Sequence, residues 1–560
     1  MTAKTKSERL RRLVSHGYFA PELPPCFVSD DLAKYRRSIL AGIDTLQPIN
    51  NYPAFHKYIS EPAWFYFPRF GKDDRRHGVP NPIAHLLLAR AIADNYVALR
   101  RRARGSSLTL SPPVFDWGGT RALMRPSVDL RDQFRVELSS RREEYVAADV
   151  RAFFHSVYTH SIPWAIYGKS WAKQNRGVNH YGNLLDLLCR NAQGGQTIGL
   201  PVGPDTSRLL AEVIASAIDA QLQERLKVGR RDASRYIDDY TISSASDVRG
   251  EALLAALRHA SSAFELELNN DKSGIYPTSH RQSSGWQQAV RAHIPQRPFA
   301  DADLQHFFYQ LGRLCLLHPD INVEKFGLQN ARSAIVNAKD WSAIQPSLIS
   351  AYRRNPSLIS FLVEACLLRH VAHDDVELTD LREFLENRIP VLARAHRTGE
   401  VIWLLFLAAR LRLTLSERPL APLFETENAF IALLVSYLDN EGLVQGSVDR
   451  TLWNRSLNAA GLRSPMWLYA YEATTQGFVP GANETFIVQD QYFSLLSAKR
   501  VQFLAIERGY ASVAATLRTL RDTNERMQRL RQAIQDAADE ELDDFDDDEI
   551  NDLEMYDDEY

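Results

Sequence analysis

The chain has 560 residues, which is too long for one hydrophobic core and predicts about two to four domains. With 45% hydrophobic and 24% charged residues, its composition is typical of a globular protein rather than a fibrous or disordered one. No apolar run approaches the length of a membrane span, and the first twelve residues lack a signal-peptide core, so we expect a cytoplasmic protein without a membrane partner. The four cysteines are far apart in the sequence and form no CxxC motif, which argues against a disulfide framework or a zinc site.

The net charge of −3 hides an uneven distribution along the chain. Residues 536–560 contain 15 acidic residues and no Lys or Arg, so residues 1–535 carry a net charge of +12. A basic body with an acidic tail is typical of proteins that bind RNA or DNA, although an acidic tail can also act only as a solubilising segment. The tail has too few apolar residues to build a core, and we expect it to be disordered.

The first half of the chain mixes strand and helix patterns. After a mostly helical, basic lead-in, residues 64–80 predict two short strands around a cationic hairpin, and an apolar helix follows from Ile83 to about Arg100. Residues 101–140 predict loops with basic clusters. The remaining elements are predicted as a strand ending at Asp149, a glycine-rich turn over 194–203, a helix over 205–226, a hairpin over 236–242, a helix over 251–264 and a strand–loop–strand unit over 265–276. This order indicates an α+β fold with helices on one face of a sheet.

Beyond about residue 296 the strand signals almost disappear. Amphipathic helices are predicted over 302–317, 344–370, 378–396, 400–414, 426–439, 466–475 and 491–532. They show no fixed repeat period, which favours an irregular all-α region over a solenoid. The predicted domains are therefore a lead-in over 1–50, an α+β domain over 51–290, a helical domain over 291–535 and the acidic tail over 536–560.

Two adjacent acids stand at the tip of the predicted hairpin, within the segment RYIDDYTI that starts at Arg235. Adjacent carboxylates repel each other, so Asp238 and Asp239 favour a divalent metal ion, although a solvated turn is the plainer alternative. Together with Asp149 they would supply the ligands for two Mg²⁺ or Mn²⁺ ions about 3.5–4 Å apart, as in enzymes of in-line phosphoryl displacement. The cationic hairpin over 64–80 would then balance the charge of a triphosphate.

Five segments resemble reverse transcriptases, in the order that family shows. Residues 148–156 (ADVRAFFHS) resemble motif A, and residues 157–165 (VYTHSIPWA) are similar to an extension of bacterial abortive-infection and defence-associated reverse transcriptases, the unknown-group enzymes. Residues 193–207 (QGGQTIGLPVGPDTS) resemble the motif B of that group. Residues 236–239 (YIDD) are similar to the YxDD box of motif C, and residues 268–272 (LNNDK) resemble motif D.

The resemblance implies a reverse-transcriptase fingers and palm over 51–290 and a role for each matching residue. Asp149, Asp238 and Asp239 would bind the metal ions, and Lys272 would approach the β,γ-phosphates as a general acid. The incoming dNTP would be contacted by Arg69, by Arg75 or Arg76, by Phe154, and by Val202 and Gly203. Phe154 would exclude a ribose 2′-hydroxyl. Each of these residues also has a plainer interpretation: Phe154 as core, Arg75 and Arg76 as a solvated turn, and Lys272 as a strand cap.

The function implied by the resemblance is anti-phage defence by a metal-dependent DNA polymerase. Several enzymes of that group polymerise dNTPs without a conventional primer or template, and some use a protein hydroxyl as primer. The resemblance implies dNTPs and RNA or DNA as partners, and it is compatible with a non-coding RNA, a companion defence protein or a second copy of the chain. Two alternatives stay open: an RNA-templated reverse transcriptase of a retroelement, and a catalytically idle scaffold that binds RNA or protein.

Overall fold

A computed structural model of the chain describes residues 4–125, 127–243, 250–278, 285–296 and 301–508. The acidic tail and most of the helix expected over 491–532 lie outside these ranges. Among the described helices, none combines the length and the apolar character that a bilayer-crossing segment requires.

The N-terminal lead-in is helical, as predicted, and it packs against the far end of the described chain. Helix α1 (Lys6–His16) starts with a capping box, in which Thr5 and Glu8 each accept a hydrogen bond from the backbone N–H of the other. Helix α2 (Asp30–Asp44) follows. Between them, Cys26 and Val28 exchange backbone hydrogen bonds with residues 503–505. The two ends of the described chain therefore form one layer.

The predicted cationic hairpin is present as β1 (Ala63–Arg69) and β2 (Lys72–Val79), which pair antiparallel. The apolar helix after it is divided into α3 (Pro82–Asp94) and α4 (Tyr96–Arg104). The break lies at Asn95, whose side chain donates to the Ala91 carbonyl. Residues 101–140 are not loop throughout, because α5 (Val128–Ser139) begins after a capping Ser127.

The central sheet has four antiparallel strands in the order β4-β5-β3-β6. Its strands are β3 (Glu144–Asp149), β4 (Ala233–Tyr236), β5 (Asp239–Ile242) and β6 (Gly274–Pro277). The helices between them are α6 (Phe153–Ser156), α7 (Ser161–Tyr167), α8 (Lys169–Gln174), α9 (Tyr181–Asn191), α10 (Asp205–Leu226) and α11 (Gly250–Ser262). The predicted mixture of helices and small sheets is confirmed.

Both faces of the sheet are covered, whereas the sequence pattern predicted helices on one face only. Val146 and Ala148 of β3 belong to the main core, on the face that carries α10 and α11. On the opposite face, Tyr145 packs in a separate cluster with Phe134 and Leu138 of α5. Apolar residues at alternate positions of β3 would otherwise be exposed, and α5 covers them. Asp149 lies on this second face, since it is two and four residues beyond Ala147 and Tyr145.

The part of the chain after the sheet is almost entirely helical. Its helices are α12 (Trp286–Ala292), α13 (Asp301–Leu317), α14 (Val323–Asn330), α15 (Arg332–Val336), α16 (Trp341–Arg354), α17 (Ile359–His373), α18 (Leu378–Arg394), α19 (Thr398–Arg410), α20 (Glu417–Phe424), α21 (Ala429–Asn440), α22 (Thr451–Asn454), α23 (Trp467–Thr475), α24 (Thr485–Gln489) and α25 (Phe493–Ser497). Two residues each of β7 (Leu415–Ser416) and β8 (Val444–Gln445) form a small parallel pair. The last expected helix is wrong at its described end: α25 stops at Ser497, and residues 501–504 have no helical structure.

The cationic hairpin packs directly on the helical region. Thr398 accepts a hydrogen bond from the Tyr66 N–H at 2.9 Å, and the Asn428 side chain donates to the Trp64 carbonyl at 2.8 Å. Gly399 lies so close to β1 that a Cβ there would stand 2.3 Å from the Tyr66 carbonyl oxygen. One continuous apolar core spans the lead-in, the hairpin, the sheet and the helices. The proposed division into domains therefore stays a prediction from sequence.

Candidate metal centre and adjoining cavity

Three carboxylates meet at the end of the central sheet. Asp149 is the last residue of β3 and pairs with Asp239, the first residue of β5, while Asp238 lies in the turn between β4 and β5. One carboxylate oxygen from each of the three lies within 4.8 Å of the others. The backbone fixes this arrangement, because the Val150 N–H donates to the Asp238 carbonyl at 3.1 Å. Residues 89 positions apart in sequence are thus brought to one point.

The turn before Asp238 has an unusual backbone. Ile237 has a φ of 60°, in the left-handed region that a β-branched residue rarely adopts. Its N–H donates to the Ser111 hydroxyl at 3.0 Å, and its carbonyl accepts from the Arg235 guanidinium at 2.8 Å. These two hydrogen bonds compensate for the strain of the turn and determine where Asp238 lies.

Arg235 is fully buried, and its charge is balanced from α10. The guanidinium donates to both Asp219 carboxylate oxygens, at 3.0 and 2.9 Å, and to both Glu212 oxygens, at 3.0 and 2.7 Å. Tyr240 of β5 also donates to Asp219, at 2.9 Å. The strong fields of the two acids raise the pKa of Arg235, against the opposing effect of its burial. This buried network joins the β4–β5 hairpin to α10.

Basic side chains pair directly with two of the three acids. Lys272 donates to Asp149 at 3.0 Å, and Arg131 of α5 donates to Asp239 at 3.3 Å. Burial, together with repulsion from Asp239 and Asp149, raises the pKa of Asp238 to about 7. Burial and Asp149 also raise the pKa of Asp239, although Arg131 opposes this. Two acids that are costly to ionise, whose carboxylates converge with that of Asp149 as hard oxygen ligands, fit a divalent metal ion.

No protein-family model matches the chain, and no curated protein matches it either. Among solved structures, the chain is similar to the apo telomerase of Candida tropicalis, with 11% sequence identity and a TM-score of 0.29. That match covers 76% of this chain and 76% of the telomerase chain.

A cavity of about 670 Å³ reaches Ile237, the residue before Asp238, although the three acids themselves do not line it. Four of the residues expected to contact a nucleotide line this cavity, together with two residues of the hairpin turn: Arg75, Phe154, Val202 and Gly203, with Tyr236 and Ile237. Gly203 has a φ of 130°, and a Cβ at this position would lie 2.6 Å from the Ala20 Cβ. A side chain there would therefore displace the N-terminal segment, so glycine is required by both conformation and packing.

The cations of the hairpin have different surroundings. Arg75 lines the cavity, whereas Arg76 stacks on the Trp64 ring, with its guanidinium carbon 3.6 Å from the ring centroid. Arg69 donates to the Asp73 carbonyl at 2.9 Å and does not line the cavity. Lys72 lies near enough to the acids to feel their charge: burial, Lys272 and Arg69 lower its pKa, while Asp149 and Asp239 act in the opposite direction. The structure thus separates Arg75 from Arg76, a choice that the sequence leaves open.

Several residues at the site were not predicted. Arg131 supplies a cation near the acids, and the Arg235–Glu212–Asp219 network supports the hairpin. The helical region also contributes: Trp286, Arg291, Phe326 and Gln329 line the cavity. A sequence signal for the network did exist, since Glu212 and Asp219 are seven residues apart and therefore fall on one face of the predicted helix.

Proposed function

We propose that this protein is a metal-dependent nucleotidyltransferase of the reverse-transcriptase type, which adds dNTPs to a growing DNA strand and releases pyrophosphate. The observation that carries the proposal is the convergence of Asp149, Asp238 and Asp239 within 4.8 Å. These are the three acids that motifs A and C place in the metal site of reverse transcriptases. A cavity lined by the residues of motifs A and B next to the acids supports the same function.

Asp149, Asp238 and Asp239 would hold Mg²⁺ or Mn²⁺. When bound, the metal ions neutralise the triphosphate and increase the acidity of the attacking hydroxyl. Arg75 is suited to hold the triphosphate, because it is a cation in the cavity wall whose field also acts on Asp238. Phe154 presents a ring to the same cavity and would select against a ribose 2′-hydroxyl.

Lys272 and Arg131 pair with two of the acids. Lys272 is suited to donate a proton to the leaving pyrophosphate, because it lies at the acid cluster with a side chain that is about half exposed. To reach the phosphates its amino group has to leave Asp149, so its pairing with Asp149 belongs to the protein without nucleotide. Arg131 neutralises Asp239 from α5 and thereby positions that carboxylate.

The test is nucleotide incorporation by the purified protein. The chain is incubated with each dNTP and with Mg²⁺ or Mn²⁺, with and without primer and template, and the product is treated with protease and sequenced. We expect DNA from the wild-type protein and none from Asp238→Ala/Asp239→Ala, with both proteins folded by circular dichroism. Equal incorporation by the two proteins would refute the function.

We further propose that the activity serves defence against phage, which rests on the resemblance of residues 157–165 to the extension of the abortive-infection enzymes. The experiment compares phage plating on bacteria that express wild-type protein or Asp238→Ala/Asp239→Ala. Protection by the wild type alone supports defence by DNA synthesis. Polymerase activity in vitro without protection against a panel of phages would instead favour the retroelement alternative.

One observation favours the scaffold alternative, in which the acids have only a structural role. Two of the three acids are already paired with cations, as in an ordinary ion-pair network. Among the described residues no ion pair is formed by the third acid, Asp238, and burial together with repulsion from Asp239 and Asp149 raises its pKa to about 7, a cost that a bound cation would offset. Metal binding distinguishes the two: a scaffold would show no Mn²⁺-dependent rise in thermal stability, whereas the enzyme loses that rise in Asp238→Ala.

A further inference from the structure

An aromatic and basic surface, separate from the candidate metal centre, has no part in the chemistry above. It is formed by α4, α7, α8 and the start of α9, and its central side chains are Arg101, Arg102, Tyr167, Trp171, Lys173, Arg176, His180 and Tyr181. We call it the α8 surface. Two sequence features meet here: the basic cluster after residue 99, and the segment 157–165 with its continuation.

The rings of the α8 surface form a continuous aromatic group. The Trp171 ring lies 4.5 Å from the Tyr167 ring and 4.8 Å from the His180 ring, and Tyr167 lies 5.5 Å from Tyr181, all between ring centroids. Trp171 is 36% exposed, and the other three rings are half-buried. Aromatic groups of this kind bind the bases of single-stranded nucleic acid, because each base has a π-face that can stack irrespective of sequence.

The group is held in place before any ligand arrives. The Asn183 side chain donates to the carbonyls of Asn175 and Gly177, both at 2.7 Å, and so fixes the loop between α8 and α9. The Tyr167 hydroxyl accepts from the Gly182 N–H at 3.2 Å. A preformed surface loses less conformational entropy on binding than a flexible one.

The charge of the α8 surface is positive. Residues 150–185 and 95–115 contain no Asp or Glu. Arg101, Arg102, Lys173 and Arg176 are exposed, and within the described ranges none of the four forms an ion pair. Burial raises the pKa of Tyr181 to about 12, and Arg102 and Arg101 are near enough to oppose that rise. The cations thus lie beside the rings, as a ligand with both bases and phosphates requires.

One acid at the edge of the α8 surface is paired with a cation. Glu265 accepts a hydrogen bond from Lys169 of α8 at 3.0 Å. This pairing reduces the repulsion that Glu265 would exert on a polyanion.

From this combination we infer that the α8 surface binds single-stranded DNA, by stacking bases on Trp171 and its neighbouring rings and by pairing phosphates with Arg101, Arg102, Lys173 and Arg176. The assignment to DNA rests on the proposed function, since a protein that adds dNTPs would itself produce a DNA strand. RNA would offer the same bases and phosphates, so the experiment has to separate the two.

The experiment measures the binding of fluorescent dT20 and U20 to the full chain by anisotropy, without dNTPs or divalent metal, over a series of salt concentrations. Trp171→Ala should weaken dT20 binding about tenfold, in the range for loss of one base stacked on an aromatic ring. Arg101→Gln/Arg102→Gln should reduce the slope of log affinity against log salt by about 1.4, for two phosphates on a single strand. Two matched controls lie outside the α8 surface. Trp117→Ala removes a Trp that is 40% exposed, and Arg382→Gln/Arg418→Gln removes two exposed arginines.

Unchanged dT20 affinity in Trp171→Ala, together with an unchanged salt slope in the arginine variant, would overturn the inference. So would an equal loss in the control variants. Tighter binding of U20 than of dT20, weakened by the same substitutions, would reassign the surface to RNA and overturn the assignment to product. Because no nucleotide is added, a protein that fails the incorporation assay can still pass this one.

Discussion

Replacing Arg235 should destabilise the protein and disorder the metal centre together. The side chain is fully buried, forms four hydrogen bonds with Glu212 and Asp219, and holds the Ile237 carbonyl at 2.8 Å. Arg235→Met leaves two carboxylates buried without their cation, and breaking a buried ion pair in this way costs about 3–5 kcal/mol. Arg235→Lys keeps a charge but not the planar fork, and a loss of about 2 kcal/mol is expected, the value of one or two hydrogen bonds to charged groups.

The free energy of unfolding is measured by urea denaturation followed through tryptophan fluorescence, and dNTP incorporation is measured on the same samples. Arg235→Met/Glu212→Gln/Asp219→Asn provides the control, since it removes the orphaned charges and should recover part of the stability. It should not recover activity, because the Ile237 carbonyl still lacks its donor. A stable Arg235→Met protein with wild-type incorporation would refute the idea that this network positions Asp238.

Four further outcomes are expected. In EDTA at pH 8, Asp238→Asn should raise the free energy of unfolding by about 1–2 kcal/mol. The shift of the Asp238 pKa sets an upper limit of about 4 kcal/mol, at 1.36 kcal/mol per pKa unit, and the expected gain is smaller because water screens a partly exposed site. The pKa of Asp238 is about 7 in the folded protein and 3.8 ordinarily, so the wild type loses stability as the pH rises from about 4 to 7. Thermal unfolding should therefore show the stability difference between wild type and Asp238→Asn vanishing near pH 4. Phe154→Ala should raise rNTP incorporation relative to dNTP by at least tenfold in competition assays, since even one methylene in a pocket is worth about 1–3 kcal/mol; an unchanged ratio would place the gate elsewhere. Arg75→Ala should raise the KM for dNTP several-fold, whereas Arg76→Ala, which removes only the contact with Trp64, should not; equal effects would contradict the difference in their surroundings. Deleting residues 536–560 should tighten non-specific nucleic-acid binding at low salt, and filter binding should show the gain shrinking as salt screens the tail from the basic body; equal affinities at every salt concentration would leave the tail as a solubiliser.

The strongest local patterns predicted their elements well. The helix over 205–226 coincides with α10, and the strand that ends at Asp149 is β3. In both, apolar spacing, composition and a clear boundary agree. Helix α5 escaped prediction because only Phe134 and Leu138 of its residues are buried, which leaves almost no periodicity to detect. Tertiary packing rather than local pattern stabilises such a helix.

At residues 501–504 the error is the opposite one, because the sequence pattern predicts a helix for a segment that is extended in the structure. Val501, Phe503 and Leu504 are buried in an extended segment, paired with residues 26–28, although the surrounding sequence is amphipathic as a helix would be. Long-range contacts at the site were equally inaccessible from sequence. Arg131 is 108 residues from Asp239, and no local rule brings them together.

The contact of β1 with Thr398, Gly399 and Asn428 has a mechanical consequence. An edge strand usually offers free backbone groups to solvent or to another strand, but here side chains of the helical region occupy them. The hairpin that carries Arg75 is therefore fastened at its outer edge as well as at its base. Movement of the hairpin over a nucleotide would therefore carry α19 and the start of α21 with it, or would break these contacts. A ligand that grips those helices would, by the same linkage, act on nucleotide binding without touching the cavity.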